Sequence, residues 1–177
     1  MHERVSGGFT LIELLLVVAI IGIIAAIAVP GLMRARMSGN EASAIGSLRA
    51  INTAEASYAS SCGQGAYAGT LADLGKPAQA GAEGFIGPDL AADPSAKSGY
   101  TVAMTGGNAA NGVTGCNNPS LLAQAYFVAA DPLVASSTGT RRFGTNQGGT
   151  IYQSTANPPE ALVVTLAGAP PASAPIQ

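Results

Sequence analysis

The chain has 177 residues, 47% hydrophobic and only 10% charged, with 23 glycines, 11 prolines, two cysteines and one histidine. An ordinary soluble domain carries roughly 25% charged residues, so this surface is weakly charged, and eight Lys+Arg against ten Asp+Glu leave a formal charge of −2. Scattered cations of that number give no footprint for nucleic-acid phosphates. The single histidine, His2, lies in a segment expected to be removed, which excludes chemistry built on a histidine base, a zinc ligand or a haem ligand.

The first element is a membrane segment. From Leu14 to Val29 the chain reads LLLVVAIIGIIAAIAV with no polar side chain, and back to Phe9 only Thr10 and Glu13 interrupt it. A helix over those residues spans about 31 Å at ~1.5 Å per residue, close to a bilayer's hydrocarbon core. The octet before it, MHERVSGG, holds Arg4, so the positive-inside tendency puts it in the cytoplasm and the remainder outside. A secretory signal peptide with Ala26-Ile27-Ala28 as its cleavage site is one reading of this segment, and a plain signal anchor is another. Glu13 stands against the first. A carboxylate in an apolar run costs roughly 2.5–3.5 kcal/mol at a helix centre, and an ordinary signal peptide gains nothing from it.

Gly8-Phe9-Thr10-Leu11-Ile12-Glu13, followed by that apolar run, resembles the N-terminus of type IV prepilins and the related pseudopilins. The resemblance implies that a membrane-embedded prepilin peptidase cuts between Gly8 and Phe9, that the new amino group of Phe9 is methylated, and that residues 1–8 are a leader. It is specific over residues 7 to about 36, and beyond them it is one of architecture. Each residue type has a physical reason. Glycine before the cut leaves the backbone open to close approach, and the methylated amine of Phe9 stays cationic near neutral pH. Glu13 then gains a candidate partner in the terminal ammonium of a neighbouring subunit. Such a pair is costlier to leave half-made than to assemble, so Phe9 and Glu13 are expected to set register between subunits. The alternative is that Glu13 snorkels to the cytoplasmic interface. Gly22 and Pro30 are expected to weaken the helix between them: Pro30 removes the bond to the Ala26 carbonyl, and glycine costs about 1 kcal/mol. Either the segment extends on leaving the bilayer, or it is only kinked.

Beyond Pro30 the chain turns amphipathic. Met33, Met37, Ile45, Leu48, Ile51, Ala54 and Tyr58 form a stripe, with Arg34, Glu41, Arg49, Asn52 and Glu55 mostly off it. One helix from Phe9 to about Ser60 is predicted, residues 9–30 serving as membrane or filament-core half and 31–61 as the amphipathic half, with Cys62-Gly63 as its stop. Residues 62–98 show little period and resemble the variable loop between helix and sheet in pilins. Over 99–167, runs at 99–104, 122–129, 141–143, 149–153 and 161–166 read as antiparallel strands, with 145–149 a hairpin connection. The tail, 168–177, is expected to be flexible. The fold class is therefore α+β: a long N-terminal helix on a small antiparallel head, similar to type IV pilins.

Cys62 and Cys116 are the only cysteines. Export predicts an oxidising compartment, where a disulfide between them contributes about 4 kcal/mol by the chain-entropy argument. Two free thiols are the alternative. Many type IV pilins have their disulfide nearer the C-terminus, so their receptor-binding loop does not transfer to this chain.

No cofactor and no metal site are expected, and no enzymatic activity. Major pseudopilins commonly carry a calcium site in the C-terminal region, but after residue 130 only Asp131 and Glu160 are available, which favours a pilus subunit over the pseudopilus of a type II secretion system. Aspartates 73, 89, 93 and 131 occur without a paired motif or nucleophile elbow, which leaves little for a signal-anchored enzyme. The resemblance implies these partners: copies of the same chain, prepilin peptidase, an inner-membrane assembly platform and a secretin. It implies an inner-membrane precursor and then a surface filament. The resemblance implies a filament of the motility and adhesion class.

Overall fold

Helical period dominates the first third of the chain, and it becomes one continuous helix, α1, over Leu11–Ser61. The computed structural model describes residues 9–117, 119, 122–154 and 174–176. They belong to two compact units, Met1–Arg36 and Met37–Gln177. In the first unit every described residue is exposed, and α1 runs unbroken through Gly22 and Pro30.

The second unit is an α+β head. After α1 come β1 (Tyr67–Ala68), α2 (Leu71–Gly75), β2 (Ser95–Lys97), β3 (Tyr100–Gly106), β4 (Leu122–Ala123), β5 (Tyr126–Pro132), β6 (Arg142–Asn146), β7 (Ile151–Ser154) and β8 (Ala174–Pro175). The main sheet has the order β2-β3-β5-β6-β7-β8, antiparallel throughout, and β1 pairs with β4 in a separate ribbon. Alternation supplies its buried face. Val102 lies opposite Ala130 and Ala130 opposite Phe143; Met104 lies opposite Val128, Val128 opposite Thr145, and Thr145 opposite Ile151. Ala44, Leu48, Ile51, Ala54 and Tyr58 of α1 join those residues in a single core.

Several expectations need correction. The loop region 62–98 holds β1, α2 and β2. Side chains rather than periodicity organise it. Asp93 accepts the Leu71 N–H at 3.0 Å and the Met104 N–H at 3.1 Å, fastening α2 to β3. Ser98 and Gly99 both have positive φ, 49° and 75°, and form the two-residue turn between β2 and β3. The run 122–129 is divided between β4 and β5, which lie in different sheets. Within the tail expected to be flexible, Ala174 and Pro175 pair with Gln153 and Tyr152, and the Ile176 N–H reaches the Ile151 carbonyl at 2.9 Å. The outer edge of β7 offers those backbone groups a ladder. The predicted strand 161–166 lies outside the described residues.

On α1, Leu48, Ile51, Ala54 and Tyr58 are buried, but Met33 is half exposed at 52% and Met37 is only partly covered. Two acids that pattern alone puts with the solvent-facing side chains are inside: Glu41 and Glu55. The helix ends with the Cys62 and Gly63 N–H groups both on the Tyr58 carbonyl at 2.8 Å. Positive φ falls at Gln64 and Gly65, at 53° and 91°, rather than at Gly63. Gly63 is needed for a different reason: a Cβ there would stand 2.0 Å from the Ala66 carbonyl oxygen.

Candidate functional site

The start of α1 is built by a reciprocal cap. Thr10 precedes the first helical residue, and its Oγ1 accepts the Glu13 N–H at 3.3 Å. Glu13 returns the contact, its Oε2 accepting the Thr10 N–H at 2.9 Å and the Thr10 hydroxyl at 2.6 Å. This is a capping box, which satisfies donors that the first turn otherwise leaves bare. It also puts a carboxylate at the positive end of the helix dipole. The signal is present as Thr-x-x-Glu before an apolar run, and sequence reasoning that paired Glu13 with a neighbouring subunit or let it snorkel to the interface missed it. Glu13 Oε1 has no partner among the described residues.

Phe9 is 78% exposed, and Leu11, Ile12, Ile23 and Ile27 are each between 65% and 80% exposed. Among the described residues α1 is the one helix long and apolar enough to cross a membrane. Exposed side chains of this kind over more than twenty residues have no place in water. Gly8 lies outside the described residues. Gly22 leaves open space around a built Cβ, so no neighbour within the chain requires glycine there.

Residues 4–29 match the family described as the prokaryotic N-terminal methylation motif. The chain is type IV pilin-like. It is 47% identical over 53 residues to the type IV major pilin protein PilA of Myxococcus xanthus, a match covering 30% of this chain and 24% of that protein. The chain therefore spans about a quarter of the length of the curated relative it matches. No solved structure matches it.

The head is closed by ties between α1 and distant parts of the chain. Cys62 and Cys116 form a disulfide, with Cα atoms 4.9 Å apart. Beside it Asn117 accepts the Tyr58 hydroxyl at 3.0 Å and donates to the Asp73 and Lys76 carbonyls at 2.8 and 3.1 Å. Burial pushes the Tyr58 phenol up to about 12, with the Asp73 and Glu55 charges adding to it.

Glu41 accepts from the Thr140 N–H at 2.9 Å, the Arg141 N–H at 3.2 Å, and the Arg141 guanidinium at 2.8 and 2.7 Å. Burial pushes this carboxyl up, but those donors outweigh it and hold Glu41 below the usual carboxylate range. Glu55 differs. It is fully buried, and burial pushes it up to about 8 against a single opposing bond, the Ala68 N–H at 3.0 Å on Oε2. Its Oε1 has no hydrogen-bond partner among the described residues. Glu55 is therefore largely protonated at neutral pH. The described residues contain no cluster of three or more potential metal-ligating side chains.

Proposed function

We propose that this chain is the structural subunit of a type IV pilus. Prepilin peptidase cuts it between Gly8 and Phe9, the Phe9 amine is methylated, and the mature chain waits in the inner membrane before entering a surface filament. An assembly platform, a secretin and copies of the same chain are the partners. The observation that carries the reading is the exposed apolar first half of α1 with the methylation motif at its start. Such a surface suits lipid first and sister helices afterwards, because both remove the same side chains from water. Support also comes from the likeness to a protein named as a type IV major pilin.

Glu13 acts in register. Thr10 already occupies Oε2, and cleavage creates a cation on Phe9, immediately before the cap. The remaining oxygen pairs with the methylated ammonium of an adjacent copy in low dielectric, where a missing partner is heavily penalised. The segment from Gly22 to Pro30 is the weak part of the stalk and loosens as lipid is exchanged for neighbours.

Intact-mass spectrometry of the mature protein tests the processing. The expected mass lacks residues 1–8, gains one methyl group and lacks two hydrogens for the disulfide. A product beginning at Val29 refutes it. Long surface filaments that vanish on deletion of the coding sequence are expected. Loss of secretion with filaments intact would identify a pseudopilus instead.

A further inference from the structure

The described cations fall into two sets. Lys76, Lys97, Arg141 and Arg142 of the head each pair with an acid of the same chain. Arg34, Arg36 and Arg49, all exposed on α1, meet no acid and no other hydrogen-bond partner among the described residues. Copies of the chain offer them little. Glu41, Asp73, Asp89 and Asp131 are held by the head cations and Asp93 by two backbone N–H groups, which leaves Glu83 as the exposed acid of the described head with no in-chain partner.

Position separates Arg34 and Arg36 from Arg49. The twenty residues 14–33 carry no charged side chain, and α1 is continuous through them, so they rise about 30 Å at ~1.5 Å per residue, the thickness of a bilayer's hydrocarbon core. With Glu13 at one edge of that core, Arg34 stands at the other, level with the phosphates, and Arg36 just beyond it. Arg49 belongs to the head unit instead. Residues two apart on a helix are separated by about 200° around its axis, so the two guanidiniums reach out on opposite sides and each meets its own headgroup. Their presence also carries a cost. Arginine close behind a first membrane helix opposes an orientation with the leader in the cytoplasm, and ahead of the helix only Arg4 counters them. A pair that works against insertion, and that no described residue engages, points to a partner outside the chain.

We infer that Arg34 and Arg36 form a lipid anchor, each guanidinium holding the phosphodiester of an anionic headgroup in the leaflet facing away from the cytoplasm, an inference that rests on the membrane-borne stage of the pilus reading. Guanidinium suits this ligand. Its planar fork donates two parallel hydrogen bonds to phosphate oxygens and keeps its charge throughout the physiological range, and its apolar stem lies along the acyl region while the charged end reaches the interface. Anionic lipid is favoured over zwitterionic lipid, whose own cation competes for the phosphate. The anchor fixes the depth of the stalk in the bilayer and is released when the chain leaves it.

The test uses the full-length chain purified from membranes in mild detergent, with phosphatidylglycerol or phosphatidylcholine added and the retained lipids counted by native mass spectrometry. Wild type should retain up to two phosphatidylglycerols and severalfold less phosphatidylcholine. Arg34→Gln/Arg36→Gln should bring phosphatidylglycerol down to the phosphatidylcholine level, whereas Arg49→Gln, which removes the same kind of charge from the head section of α1, should behave as wild type. The same spectra show whether each variant keeps its disulfide. Equal retention of the two lipids by wild type, unchanged retention by the double variant, or an equal loss in Arg49→Gln each overturns the inference while the chain remains a membrane protein. A wild-type chain that alkaline carbonate releases from membranes sinks the membrane-borne reading and the inference together.

Discussion

The same helix lives under two rules. Over residues 9–36 its leucines and isoleucines are exposed, and none of the described residues buries them. Over Glu41–Tyr58 the buried stripe is shorter, mixed with acids, and enclosed by strands that arrive much later in sequence. Apolar content alone does not make a core. What separates the regions is whether the chain supplies its own cover, and the stalk must find that cover elsewhere.

The comparison is most severely tested at the disulfide. Cys62→Ser/Cys116→Ser should lower the stability of the detergent-solubilised protein by about 4 kcal/mol, measured by denaturant unfolding, with membrane insertion unchanged. An unaltered midpoint would mean that the head is sufficient without the tie. Leucine-to-alanine changes then sharpen the contrast. Leu48→Ala, at 0% exposure, should cost about 2–5 kcal/mol. Leu15→Ala, at 58% exposure, should leave head unfolding untouched and weaken filaments only. Equal effects on head stability would erase the distinction between the regions.

Glu55 provides a test by pH. Its folded-state value of about 8 lies above the ordinary 4.5, so the folded head binds more protons than the unfolded chain. Its stabilising contribution is full below 4.5 and is lost as pH rises through about 8. The slope is at most about 1.4 kcal/mol per pH unit for one proton. Thermal melts of wild type should therefore decline over that range, and Glu55→Gln should flatten the decline. Glu41, held low, works with the opposite sign and loses its contribution only as the solution becomes acidic. The smallest effect is expected at the cap. Thr10→Ala should cost about 1 kcal/mol, seen as fraying of the first turn by amide exchange, with the head unchanged.

Much of this arrangement is readable from residue order. The membrane-length run, the cysteine pair, β3 and β7 follow from hydropathy, composition and alternation, whereas β6 runs to Asn146, into the stretch 145–149 that turn residues mark as a hairpin connection. The burial of Glu41 and Glu55 does not. A charged side chain beside a helical stripe reads as solvent-facing unless its partner is known, and Glu41 finds Thr140 and Arg141 about a hundred residues away. Asp93 organises α2 and β3 through its carboxylate, which periodicity does not register. The Thr10–Glu13 box, by contrast, is local and legible as Thr-x-x-Glu ahead of the apolar run.

The long sequence separations also impose an order on biogenesis. Asn40 waits for Thr138 and Asn52 for Thr145, gaps of 98 and 93 residues, so the helix section inside the head is translated well before the strands that complete its cover. Contacts of this range close slowly. That section therefore stays partly bare until β5 and β6 have been made, which makes the interval before the head closes the stage at which a holdase would matter most.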